Sequence, residues 1–394
     1  MKVKSFLILA GVAAVLVIAA IYSSRQGTQG VPEAIGKPIL PDFDVTRVAS
    51  VDIKTRDAAT TIRQVNDTWA VVERFGYPAD FSRLRNAMKA LQTAKVIDKP
   101  RLSSQQREAL GVAAPPAGDA KSTSITFADS GGTTLATLLL GKEHMRQDDG
   151  GPMGGYPDGR YVSSDGGDTV YLADSAFSSL SPQPQNWIDK SLLKVNASDL
   201  TRVVITARGG ESIELARSGD DDSLVLVGTA DNETTDTTEL SSVRNALSYF
   251  DMSDIASPAL GEEQMGFANA ATFMAETEDG IAYTLTIGGK AEGNNHYIKI
   301  AAEKLDLPEP QGEEGESADD VPRDVQAEVD ALNHRFSKWT FIIPGYKAES
   351  MLKTRDDLVE TKEEKEGSAE EAAPLEVTTE PVEIPADPAG SGAK

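Results

Sequence analysis

The spacing of apolar residues divides the chain before any residue type is considered. Phe6–Tyr22 is seventeen residues without a charge. At about 1.5 Å per residue that makes roughly 25 Å of helix, close to the thickness of a hydrocarbon core. Lys2 and Lys4 precede it and Arg25 follows, so the positive-inside rule puts the N-terminus in the cytoplasm and the bulk of the chain outside it. A cleaved signal peptide is the competing reading, with an apolar run of about 7–15 residues ending in a small-x-small site. Ile18-Ala19-Ala20 matches that site poorly, and the pattern predicts an uncleaved transmembrane anchor over residues 1–22. Residues 23–44 hold Gly27, Gly30, Pro32, Gly36, Pro38 and Pro41 and read as a linker.

From Thr46 the period shortens to two. "TRVASVDIKT", Thr61–Val65 and Trp69–Val72 read as strands. The turn "YPAD" leads into a helix with Asp80 as its N-cap, on which Leu84, Ala87, Met88 and Leu91 fall at i, i+3, i+4 and i+7 and make one buried face. A short helix follows in "SSQQREALGV". Then "SITFAD", "LATLLLGKE", "RYVSSD" and "TVYLAD" read as successive antiparallel strands, and "DSAFSSL" and "NWIDKSLL" as short closing helices.

At Ser198 the series restarts. "TRVVITA" repeats "TRVASVD", and Val243, Ala246, Leu247 and Phe250 reproduce the helical stripe 159 positions on. Gly266 answers Gly111, Gly288 answers Gly141, Tyr297 answers Tyr161 and Trp339 answers Trp187, always in the same order. The pattern predicts an α+β protein of two tandem duplicated domains, residues 45–195 and 198–353, each an antiparallel sheet with helices packed on one face. The second carries an acidic insertion at 303–324, and a tail of the same composition runs over 356–394. Both are expected to be disordered.

The elements "YPADFSRLRNAMKAL", "ALGV", "TLLLGKE", "GRYV" and "TVYL" together resemble the bacterial domain of unknown function 4340, over roughly residues 45–353. The second half repeats the pattern without the "PAD" turn. The resemblance implies a membrane-anchored protein that accompanies gliding-motility-type ABC transport systems in an accessory role. It implies no activity.

Composition narrows the chemistry. The net charge is −24, of which the tail from Asp356 and the segment Glu303–Asp324 supply −16. The acidity therefore belongs mostly to two solvated segments, and a nucleic-acid partner, which needs a basic face, is excluded. There is no cysteine, which removes disulfides, thiolate catalysis, Cys-type zinc sites and a lipid carried on cysteine. His144, His296 and His334 lack metal-ligand spacing and read as surface histidines. Asp220, Asp221 and Asp222 could bind calcium or serve in glycoside hydrolysis, but they sit where a polar hairpin turn is expected. Asp231–Glu239 lacks the Gly and Glu of a calcium loop and reads as the loop and cap before the second helix. The glycine-rich "DDGGPMGGYPDGR" leads into a strand, not into the helix that a phosphate cradle needs, and reads as a hairpin loop open to a partner. There is no G-x-S-x-G elbow. Trp187 and Trp339 read as core residues of the closing helices.

No catalytic, cofactor-binding or metal-binding residue is assigned from the sequence, and no cofactor is expected. The first functional reading is a non-enzymatic, single-pass, extracytoplasmic accessory or scaffold protein of an envelope assembly. Its partners would be membrane proteins such as an ABC permease or ATPase, with the bilayer held by the N-terminal helix. The second is an anchored glycan hydrolase with carboxylates meeting in an interdomain cleft.

Overall fold

The computed structural model describes residues 33–113, 122–146, 156–218, 223–306 and 323–361. The expected anchor at Phe6–Tyr22, the three aspartates at 220–222, most of the glycine-rich loop and acidic insertion, and the tail beyond Thr361 lie outside these residues. Among the described residues no helix is long and apolar enough to cross a membrane. The fold is α+β, with antiparallel sheets and few helices.

The described residues form two compact units. The first runs up to Leu192 and also takes in Asp251–Gly261 and Trp339–Ile342; the second holds the rest. In the first unit the strands are β1 (Ser50–Lys54), β2 (Ala59–Val65), β3 (Thr68–Val71), β4 (Tyr77–Pro78), β5 (Val96–Asp98), β6 (Thr123–Ala128), β7 (Thr134–Met145), β8 (Pro157–Ser163) and β9 (Tyr171–Ala173), in the order β4-β3-β2-β1-β6-β7-β8-β9-β5. Val51 and Ile53 of β1, Ile62 of β2 and Ile125 and Phe127 of β6 alternate onto one face and are fully buried, the period-two pattern of a half-buried sheet. Helix α1 (Phe81–Thr93) buries Leu84, Ala87 and Leu91, and its first turn is closed by Asp80, whose carboxylate accepts from the Arg83 amide at 2.9 Å. The short helix α2 (Ser104–Ala109) starts with a capping box between Ser103 and Gln106.

The second unit carries β10 (Leu200–Thr206), β11 (Ser212–Ser218), β12 (Ser223–Leu226), β13 (Ala271–Thr277), β14 (Ile281–Lys290) and β15 (His296–Lys304), in the order β12-β11-β10-β13-β14-β15. Val203, Leu215, Phe273, Leu285 and Ile298 are the fully buried rows of this sheet. Helix α3 (Thr237–Arg244) is capped by Asp236, which accepts from the amides of Thr238 and Glu239. Helix α4 (Val325–Phe336) crosses onto β15, where the Asn333 amide exchanges hydrogen bonds with the backbone of Ala302 at 2.8 and 2.9 Å.

Three expectations need correction. The second helix ends at Arg244, so its apolar stripe is not helical throughout. Val243, Leu247 and Phe250 are all buried, but from a helix, a turn and a strand respectively. The Asn245 side chain bonds back to the Ser241 carbonyl and competes with continued helix. The closing helices are absent. "DSAFSSL" is irregular, with Phe177 in the left-handed region at φ 51°, and "NWIDKSLL" is a 3-10 turn followed by the strand Ser191–Leu193. Pro182 and Pro184 leave no room for a regular helix there. Neither Trp187 nor Trp339 is on a helix; Trp187 is fully buried and donates from its indole to the Ser181 carbonyl, whereas Trp339 is half-buried edge-on to Tyr77 at 5.1 Å.

Candidate functional site

Because Val51 and Ile53 face the core, the pleat turns Ser50 and Asp52 to the opposite face of the first sheet. Register places Arg63 of β2 and Ala128 of β6 on either side of Ser50, and Thr61 and Thr126 on either side of Asp52. The turn after β6 forms a wall. Asp129 accepts from the Gly131 and Thr133 amides at 3.0 and 2.9 Å, and Gly132 takes φ 81°. Together these groups enclose a recess of about 510 Å³ lined by Ser50, Asp52, Arg63, Gln64 and the turn 128–132.

The chemistry of this recess is mixed. Ser50 is 8 % exposed and its Oγ finds no hydrogen-bond partner among the described residues. Asp52 accepts from the Thr61 hydroxyl at 2.9 Å. The Thr133 amide, with help from Gly131 and Arg47, holds the Asp129 carboxyl below the usual carboxylate range. Asp129 is therefore a fixed charge at neutral pH and unsuited to act as a general acid.

The other face of the same hairpin forms an apolar groove. Gln64 and Trp69 are cross-strand neighbours, and Val45, Val48, Trp69, Phe81, Leu84 and Met88 line a hollow of about 340 Å³ under α1. Phe81, the first residue of α1, is 58 % exposed. A large aromatic left open beside an apolar hollow marks a contact surface better than a core position.

The structure separates the sequence-predicted candidates. His144 on β7 is partly exposed and its Nδ1 meets Asp158 at 2.7 Å, while His334 is exposed on α4. His296 is a correction: it is buried, and its Nδ1 has no partner among the described residues. Burial first, then Arg208 and Lys290, push its pKa down, against Glu349. The alternation of His296, Ile298, Ile300 and Ala302 on β15 was a readable sign that His296 faces inward. Asp231–Glu239 supplies a short strand, Glu233–Thr235, and then the cap Asp236. Among the described residues no three His, Asp or Glu side chains form a group able to hold a metal ion. Sequence reasoning missed the recess at Ser50 and the groove at Trp69, since both are assembled from strand register.

No curated protein and no solved structure matches this chain. The family model described as "Domain of unknown function (DUF4340)" matches residues 69–270. The match opens at Trp69 and closes just before β13, and so includes the capped helix α1, the Leu110-Gly111 turn and the TLLLGKE strand on which the resemblance was drawn. Covering just over half of the 394 residues, it shows that the chain belongs to the DUF4340 family.

Proposed function

We propose that the protein is a single-pass membrane protein whose two units, duplicated copies of one ancestral unit, stand outside the cytoplasm as a non-enzymatic accessory of an envelope assembly. An ABC-type export or motility-related system is the assembly that the family resemblance favours. The observation that carries this reading is the groove beside Trp69 and Phe81, whose exposed aromatic and apolar floor suit the apolar stripe of a partner protein. The shared strand order of the two sheets, β3-β2-β1-β6-β7-β8 and β12-β11-β10-β13-β14-β15, supports the duplication. The uncharged run Phe6–Tyr22 supports the anchor.

The test is capture of the tagged full-length protein from its native membrane in mild detergent, with mass spectrometry of what accompanies it. Recovery of an ABC permease or ATPase, lost in Phe81→Ser and in a form lacking residues 1–22 that is exported by a cleavable signal, is the expected result. Recovery of the bait alone, under conditions that keep other membrane complexes intact, counts against the proposal. Equal recovery with Phe81→Ser moves the contact away from the groove.

A further inference from the structure

The recess on the outer face of the first sheet has features that the accessory reading does not use. A hydroxyl that is nine-tenths buried ordinarily finds a partner, because leaving it unpaired costs its full desolvation. Ser50 Oγ has none among the described residues, and it lines the recess. Arg63 lies directly across the ladder from Ser50, and its guanidinium makes no hydrogen bond or ion pair among the described residues. The volume of about 510 Å³ falls inside the range of about 300–1,000 Å³ usual for small-molecule sites.

The signs of the lining charges select the ligand. Asp52 and Asp129 face the same space as Arg63, and Asp129 is kept ionised by the Thr133 amide. A strongly anionic ligand meets two carboxylates. A cationic one meets Arg63. A neutral ligand with adjacent hydroxyls satisfies all of them, because each hydroxyl both donates to a carboxylate and accepts from a guanidinium or a serine. Gly131 and Gly132 place no side chain in the way at the turn. We infer that this recess binds a neutral polyhydroxylated ligand, a sugar ring, held by Arg63, Ser50 and Asp52. The inference stands apart from the groove at Trp69 and does not depend on the accessory reading.

The experiment is saturation-transfer NMR on the full-length protein in a detergent without a sugar headgroup. The probes are glucose, galactose, mannose and N-acetylglucosamine, each as the monosaccharide and as a trisaccharide; sodium acetate and methyl phosphate are the anionic controls. Transfer to a monosaccharide identifies a free sugar as ligand, and transfer to trisaccharides alone identifies a glycan chain. Binding weakened about tenfold or more in Arg63→Ala, whose side chain is exposed and whose fold is checked by thermal denaturation, supports the proposal. Ser50→Ala serves as the second variant, with the same direction of effect. The proposal is overturned if none of these saccharides receives saturation, if transfer is undiminished in both variants, or if acetate or methyl phosphate binds in their place with the same dependence on Arg63.

Discussion

The two units meet one local problem with the same backbone and different side chains. In the first, the turn after α2 puts Gly111 at φ 69° and lays the Leu110 carbonyl on the Lys142 amide at 2.8 Å. In the second, Gly266 sits at φ 74° and the Met265 carbonyl takes the Gly289 amide at 2.7 Å. Each long strand gives up one amide to this turn and loses register with its neighbour there, between Leu140 and Glu143 and between Ile287 and Lys290. The residue before the donated amide is glycine for a steric reason. A Cβ on Gly141 would lie 2.3 Å from the Leu110 oxygen, and one on Gly288 would lie 2.5 Å from the Met265 oxygen. Both glycine carbonyls are then capped by an arginine. Arg160 reaches Gly141 from the adjacent strand, whereas Arg208 reaches Gly288 from the loop after β10. The backbone device is common to both; the side chain that completes it comes from a different place in each.

The strongest way to break this comparison is to fill the two cradles. Gly141→Ala and Gly288→Ala are each expected to lower stability by about 2–4 kcal/mol, because backbone must move to admit the methyl group. Urea denaturation of the full chain measures it, and a loss under about 0.5 kcal/mol at either site would show that the two turns are not equivalent. The arginines sharpen the comparison next. Arg160→Ala and Arg208→Ala each remove a charged donor from a buried carbonyl and are expected to cost about 1.5–3 kcal/mol. Arg160 is the more deeply held, with burial outweighing the pull of Glu143 to bring its pKa down, so it should be the larger of the two. The helix caps come third. Asp80→Ala and Asp236→Ala are each expected to cost about 1 kcal/mol, with helix content read by circular dichroism.

The smallest effect compares two histidines. His144 shares a hydrogen bond with Asp158, whose pKa that bond lowers; the resulting stability is present above the unfolded carboxylate value of 3.8 and is lost as pH falls through the folded value. His296 works at a higher pH. Its folded pKa lies below the 6.5 of the unfolded chain, so below pH 6.5 the unfolded state binds a proton that the folded state refuses. Stability is full above pH 6.5 and declines as pH falls toward the folded value. Thermal denaturation of the second unit should show this slope, and His296→Gln should flatten it. An unchanged slope in that variant assigns it to other groups.

Much of the frame could be read from residue spacing, and the reasons for the failures are particular. Asp80 and the stripe Leu84, Ala87 and Leu91 were legible because cap and core face lie within one helix. The helical spacing runs past the second helix because Leu247 and Phe250 keep it after the helix has ended; periodicity cannot tell a buried face from a buried turn and strand that happen to continue it. At the closing segments Pro182 and Pro184 outweigh the apolar content of their neighbours and prevent a helix. The recess was out of reach for a different reason. Ser50 and Arg63 are thirteen positions apart in a stretch with nothing unusual in it, and only the register of β1 against β2 sets them side by side.

The composition of the first unit has a consequence for the order in which the protein can be made. Arg74 is held by Asp254 through a two-pronged ion pair at 2.5 and 2.8 Å, and Tyr77 packs edge-on against Trp339 and Phe341. The chain reaches Ile342 150 residues after Leu192. At about 5–20 residues per second, a nascent chain therefore carries an unfinished first unit for roughly 10–30 s. Arg74 lacks its carboxylate until Asp254 is made, and Tyr77 lacks its aromatic cover until Trp339 and Phe341 follow near the end of that interval. A fragment ended near Leu192 would reproduce that waiting state permanently, so the first unit reaches its final form only after most of the second has been synthesised.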